Sequence, residues 1–149
     1  MDLRLAGRTA VVTGASRGIG LAIARAFADE GAAVAICARD GAALRAAEEE
    51  LLAKGVAVHA SVCDVADPAA LTAFLDAAGT ELGRVDVLVN NAGALVDGDD
   101  DPDWERAFAV DLMAAVRASR HVAPMLASPR ASWISGALLR VDGGQLKTL

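Results

Sequence analysis

Short runs of apolar residues alternate with longer Ala-rich segments along the chain, and this rhythm sets the expected architecture. The runs Thr9 to Thr13, Ala33 to Cys37, Val56 to Ser61 and Val85 to Asn90 are continuous in hydrophobic residues rather than alternating. Strands covered on both faces read this way. Between them, helical segments are predicted at about Gly18 to Glu30, Asp40 to Lys54, Asp67 to Leu82 and Asp101 to Met125. Strand and helix in regular alternation imply right-handed crossovers, and so a doubly wound parallel sheet of the α/β class with helices on both faces. Neither a linker nor a repeat interrupts the pattern, so residues 1–149 are expected to form a single domain.

Composition narrows what such a sheet can do. A chain of 149 residues with 54% hydrophobic content can bury one good core. Aromatics make up only 3%, so that core must be built from Ala, Val, Leu and Ile. The net charge of -6 disfavours nucleic acid or an anionic membrane as the main partner and leaves small molecules and proteins. No apolar run reaches the roughly 20 residues needed to span a bilayer. With no secretory leader before the first strand, a cytoplasmic protein with reduced thiols is expected. Cys37 and Cys63 lie far apart in sequence and form no metal-ligand spacing, and no metal site is expected. His59 and His121 are also isolated, and read as a strand-end residue and a helix residue.

Chemistry enters with the loop Thr13-Gly14-Ala15-Ser16-Arg17-Gly18-Ile19-Gly20, which follows the first strand and opens the first helix. Backbone N–H groups and the helix N-terminus converge there on one point suited to a pyrophosphate, and side chains would block the approach. The spacing is Gly-x-x-x-Gly-x-Gly rather than Gly-x-Gly-x-x-Gly, a modified form of the general Rossmann pattern. With Asp64-Val65 after the third strand and Asn90-Asn91-Ala92-Gly93 after the fourth, the chain resembles the short-chain dehydrogenase/reductase family. The resemblance implies a Rossmann-type sheet in the order 3-2-1-4 plus a final strand, and an oxidoreductase acting on a carbonyl/alcohol pair. It implies cofactor contacts from Gly14, Ser16, Arg17, Gly18, Ile19 and Gly20. It places Asp64 and Val65 at the adenine, and Asn91, Ala92 and Gly93 at the ribose and nicotinamide. Asn90 is expected to tie the central strands together.

Charge at the end of the second strand bears on which dinucleotide is bound. NAD-specific folds place an acid there for the ribose 2′-hydroxyl, whereas this chain reads Ile36-Cys37-Ala38-Arg39. Arg39 can bind a 2′-phosphate, and Arg17 offers a second cation near the same group. NADP(H) is therefore favoured over NAD(H), against the plainer reading of both arginines as solvated surface charges.

Beyond Gly93, the acidic loop Asp97-Gly98-Asp99-Asp100-Asp101-Pro102-Asp103 leads into the fourth helix. Carboxylates around a proline in the first turn complement the helix dipole and cap free N–H groups. The ligand spacing of an EF-hand loop is not met. Within the helix, Asp111 stands where the family usually carries an Asn of a proton relay, and it is the candidate catalytic residue. After Met125 the family continues with a strand bearing Ser and a helix bearing Tyr-x-x-x-Lys. Here Leu126 to Gly136 already resembles the approach to the last strand, and Val141-Asp142-Gly143-Gly144 its end. The chain thus reads as an internally shortened member with a junction near 125–126, a final strand at about Ala137 to Val141, and a truncated three-layer α/β/α sandwich.

Hydride transfer to a carbonyl builds negative charge on oxygen, which a proton donor of tuned pKa must meet. The chain contains no Tyr, and its lysines are Lys54 and Lys147. Ser119, Ser128, Ser132 and Ser135 have no His or Lys at a recognisable base spacing. Losing the general acid costs roughly 10² to 10⁴ in rate. The expected function is NADP(H) binding with impaired catalysis; the alternative is a non-enzymatic dinucleotide-binding or partner-binding module. A fourth strand left open on one side points to a homo-oligomer.

Overall fold

The alternation is realised in a computed structural model that describes residues 3–126 except 96, 97 and 99. The elements are β1 (Thr9–Thr13), α1 (Gly18–Asp29), β2 (Ala33–Ala38), α2 (Gly41–Leu52), β3 (Val58–Val62), α3 (Pro68–Glu81) and β4 (Val87–Val89). They are followed by α4 (Asp101–Ala107), a π-helical turn (Phe108–Met113) and α5 (Ala114–Leu126). All strand pairs are parallel, in the order β3-β2-β1-β4. This is the doubly wound Rossmann sheet that the sequence predicts. The final strand expected at Ala137 to Val141 lies outside the described residues.

Side chains alternate across the sheet, so each strand feeds two cores. Val12, Val34 and Ile36 pack with Leu21 and Ala24 of α1 and Leu44 and Leu51 of α2. Val11, Ala35 and Cys37 pack on the other side with Leu71 and Phe74 of α3 and Ala114, Ala118 and Val122 of α5. The many alanines let these helices approach the sheet closely, as the scarcity of aromatics requires.

Only the inner strands are covered on both faces. All five residues of β1 are buried, whereas every residue of β3 and β4 keeps some exposure. The continuous apolar runs predict full burial of all four, and the outer two depart from it because they are the edges of this sheet. The third strand also begins later than expected, at Val58 rather than Val56. Gly55 adopts φ +82 in the turn that closes α2, so the following residues are still turning into the sheet.

The fourth strand is shorter than the predicted Val85 to Asn90, and side-chain bonds of Asp86 and Thr13 join its two ends to β1. At the entry, Thr9 N–H donates to Asp86 Oδ2 at 2.9 Å. At the exit, Thr13 Oγ1 donates to the Val89 carbonyl at 3.4 Å and accepts from Asn91 N–H at 3.1 Å. Asp86 is further held by Arg8 Nη1 at 3.0 Å and by Arg84, which pins the start of β4 to the start of β1.

Two predicted helix starts move by one residue for a common reason. Asp40 accepts from Ala42 and Ala43 N–H at 3.0 and 3.1 Å, and Asp67 from Ala69 and Ala70 N–H at 2.8 and 3.3 Å. Both aspartates are N-caps in extended conformation, outside the helices they open. The single helix expected over Asp101 to Met125 is instead divided by the π-helical turn, which contains Asp111.

Candidate functional site

The loop between β1 and α1 sits at the carboxyl end of the sheet, where β1 separates β2 from β4. Strand order reverses there, and in open α/β sheets ligands bind at such a switch point. Arg17 is the N-cap of α1 in extended conformation and makes no side-chain cap. The first-turn N–H groups of α1 are thus left without a side-chain acceptor, an arrangement that favours an anion.

Two of the loop glycines are dictated by the protein's own packing rather than by ligand approach. A Cβ on Gly14, whose φ is +66, would lie 2.8 Å from the Ala92 Cα. A Cβ on Gly20 would collide with the Asn91 side chain and with the Gly14 carbonyl. These positions press the glycine loop against the segment leaving β4, so the two halves of the site are one packed unit.

A crevice of about 490 Å³ opens beside this unit. Gly14, Ser16, Arg17, Arg39, Asp64, Val65, Asn91, Ala92 and Gly93 all line it. Gly18, Ile19 and Gly20 do not: Gly18 and Ile19 face solvent and Gly20 is buried beneath the loop. Six further residues complete the wall and were not marked for it by motif: Ala38, Asp40, Cys63, Ala94, Arg106 and Val110.

The charges of the crevice are strongly coupled. Arg106 Nη2 lies 3.2 Å from Asp64 Oδ2, and Ala66 N–H donates to Asp64 Oδ1 at 3.0 Å. Desolvation pushes the Asp64 carboxyl up, but the Ala66 N–H, Arg106 and Arg39 outweigh it and hold the group below its ordinary range. Asp40 is held low by the Ala43 and Ala42 N–H groups and by the nearby Arg17 and Arg45. The one acid next to Arg39 in sequence is therefore engaged as a helix cap. Arg17 and Arg39 both border the crevice.

Asn91, rather than Asn90, takes the strand-tying role while still lining the crevice. Asn91 Nδ2 donates to the Thr13 and Gly14 carbonyls at 2.9 and 3.0 Å, so it is Asn91 that ties β1 to β4. Asn90 is exposed and reaches only Ser119 Oγ, at 3.4 Å. The ladder ends at Val89, which turns the side chain of residue 91 back over β1. Thr13 is the hub of this region, taking both the Asn91 and Ala92 N–H groups at 3.1 Å. Its signal in the sequence is its place at the head of the glycine loop.

Asp111 is exposed at the π-helical turn, and its Oδ1 accepts the Ala94 N–H at 2.8 Å. It clamps the segment after Gly93 against the helix and does not line the crevice. π turns concentrate at functional positions because the extra residue re-aims the side chains around it.

Both histidines and Asp100 serve the fold. His59 meets Glu81 at 2.8 Å and stacks on Phe74, and His121 meets Asp76 at 2.7 Å. Asp100 caps α4 through the Asp103 N–H at 3.1 Å, as its loop predicts. Among the described residues no group of three or more His, Cys, Asp or Glu is placed to hold a metal ion. No helix among them is long and apolar enough to cross a membrane. Ser128, Ser132, Ser135 and Lys147 lie outside the described residues.

Comparison with known proteins agrees with this geometry. The chain is 35% identical over 145 residues to the uncharacterized oxidoreductase YvrD of Bacillus subtilis, covering 95% of this chain and 53% of that protein. A metagenomic short-chain oxidoreductase solved with NADP superposes with a TM-score of 0.76 at 42% identity, covering 81% of this chain and 57% of that one. L-Sorbose reductase from Gluconobacter frateurii, solved with NADPH and L-sorbose, superposes with a TM-score of 0.79 at 39% identity, covering 85% and 50%. Other matching structures hold NAD. The chain spans about half the length of such relatives, and less of some. The family profile described as short chain dehydrogenase matches residues 8–136. Fold, loop and profile agree, and the chain belongs to the short-chain dehydrogenase family.

Proposed function

We propose that the crevice binds NADP(H), with the pyrophosphate at the first turn of α1 and the 2′-phosphate between Arg17 and Arg39. The observation that carries this reading is the pairing of two arginines on the crevice wall with the diversion of Asp40 into the cap of α2. A 2′-phosphate gains charge-assisted hydrogen bonds there, whereas the carboxylate beside Arg39 is tied through Oδ1 to the start of α2. Asp64 and Val65 flank the adenine, Ser16 and Gly18 to Gly20 form the loop around the phosphates, and Asn91, Ala92 and Gly93 back the nicotinamide half. Asp111 acts as a positioning residue for that half through its bond to the Ala94 N–H.

When bound, the cofactor supplies or takes up hydride at its nicotinamide ring, and the family's substrates are carbonyl/alcohol pairs. The 149 residues by themselves contain no Tyr to serve as proton donor, and neither Lys54 nor Lys147 belongs to a Tyr-x-x-x-Lys motif. Lys54 is instead paired with Asp29 at the opposite end of the sheet. We therefore read the chain as one cytoplasmic dinucleotide-binding domain, shortened near residues 125–126, with retained cofactor binding and impaired catalysis. The alternative that the missing Tyr favours is a non-enzymatic module that binds the dinucleotide or a partner protein.

NADPH consumption with a panel of small ketones and aldehydes tests the impairment. The account predicts cofactor binding with rates roughly 10² to 10⁴ below those of an intact relative. Turnover comparable to such a relative would overturn it.

A further inference from the structure

Part of the crevice wall is made of two apolar side chains and an ion pair, supplied by two separate segments of the chain. Val65 follows β3 and Val110 lies in the π-helical turn, and both are buried in the same core while lining the crevice. Arg106 stands one helical turn before Val110, so the two share a helix face, and it lines the crevice together with Asp64. Arg106 Nη2 meets Asp64 Oδ2 at 3.2 Å, which joins α4 to the segment leaving β3. α4 buries no residue of its own, so packing gives no reason for an arginine at this position.

Both oxygens of Asp64 are held from the protein side, Oδ1 by the Ala66 N–H at 3.0 Å and Oδ2 by Arg106. Two bonds at different oxygens fix the plane of the carboxylate. The group is ionised near neutral pH, so its remaining lone pairs can only accept. The guanidinium that could otherwise donate to a ligand oxygen is engaged with it. Apolar walls with an acceptor at the edge suit a planar ring that carries an amino group, and oppose one that carries an oxo group in the same place. We propose that Arg106 is a positioning residue for base recognition: by fixing the Asp64 carboxylate as an acceptor, it makes the crevice select a 6-aminopurine dinucleotide over its 6-oxo counterpart. The inference rests on the reading of the crevice as an NADP(H) site with Asp64 at the adenine.

A partly exposed ion pair adds little to stability, so the role of Arg106 is read in selectivity rather than in melting. Without Arg106, the carboxylate keeps only the Ala66 N–H and is free to turn about it. A lysine at the same position retains the cation but not the planar fork, and so holds Asp64 less strictly. An asparagine in place of Asp64 presents an amide, which can donate to an oxo group as readily as it accepts from an amino group.

The test titrates the whole chain with NADPH and with reduced nicotinamide hypoxanthine dinucleotide phosphate, which carries an oxo group in place of the 6-amino group, and follows nicotinamide fluorescence. The wild type should favour NADPH by roughly tenfold or more, the difference that one charge-assisted hydrogen bond makes. Arg106→Ala should bring the ratio of the two dissociation constants down to about threefold or less, and Arg106→Lys should restore most of it. Asp64→Asn should remove the preference. A ratio that Arg106→Ala leaves unchanged, whether or not both affinities fall together, would overturn the proposal and make Arg106 a surface tether of α4. If the wild type binds both dinucleotides equally, this inference alone fails; if it binds neither, the proposed function fails and this inference with it.

Discussion

At the scale of single residues, the account places cofactor choice on Arg39 and Arg17 and the integrity of the site on two glycines. Arg39→Asp should swing preference toward NADH by roughly 10- to 100-fold, the value of one charge-assisted hydrogen bond, read as the ratio of dissociation constants for the two dinucleotides. An unchanged ratio would mean that Arg39 is only a solvated charge. Gly20→Ala forces a methyl into the Gly14 carbonyl and the Asn91 side chain. It should destabilise the domain by about 1–3 kcal/mol in urea melts and weaken dinucleotide binding with it. Most of this was legible in the sequence, because the glycine spacing and the basic end of β2 are local signals. The division of labour between Asn90 and Asn91 was not, since two adjacent asparagines differ only by where the strand stops. At that point the Thr13 hydroxyl bonds the Val89 carbonyl and the Asn91 N–H.

At the scale of elements, the site depends on β1 and β4 holding register, and Asp86 carries that load at the far end. Its carboxylate is 8% exposed and takes the Thr9 N–H and two arginines. Asp86→Ala should cost about 2–3 kcal/mol in denaturant melts, a value reduced because the arginines are partly exposed. The acid limb of stability follows from Asp40 and Asp64, both held below their ordinary range in the fold. A depressed carboxylate contributes stability that is full above its unfolded value, near 3.9, and is lost as pH falls through the lower folded value. Urea midpoints should therefore hold from pH 7 to about 5 and fall below about 4, and the Asp40→Asn variant should show a shallower fall. A midpoint that drops equally in wild type and variant would remove Asp40 from the account. Helix and strand types were readable from the hydrophobic period, but the π-helical turn was not. Its apolar positions, from Phe108 to Met113, continue the pattern of the helices on either side.

At the scale of the whole molecule, the described sheet ends on β4, whose Val87, Leu88 and Val89 keep part of their surface exposed. Exposed strand edges promote association, so the purified chain is expected to be a homo-oligomer; a monodisperse monomer by light scattering would count against this. The order of the four strands could be expected from the family resemblance and is confirmed by their register. The sequence contains no Tyr, so no motif for the substrate side could be read from it. The central claim is that the assembled glycine loop and its two arginines bind NADP(H), and parallel titration of the chain with NADPH and NADH by nicotinamide fluorescence tests it most directly. The account predicts saturable binding that is tighter for NADPH; no saturable binding, or equal affinity for the two, would contradict it.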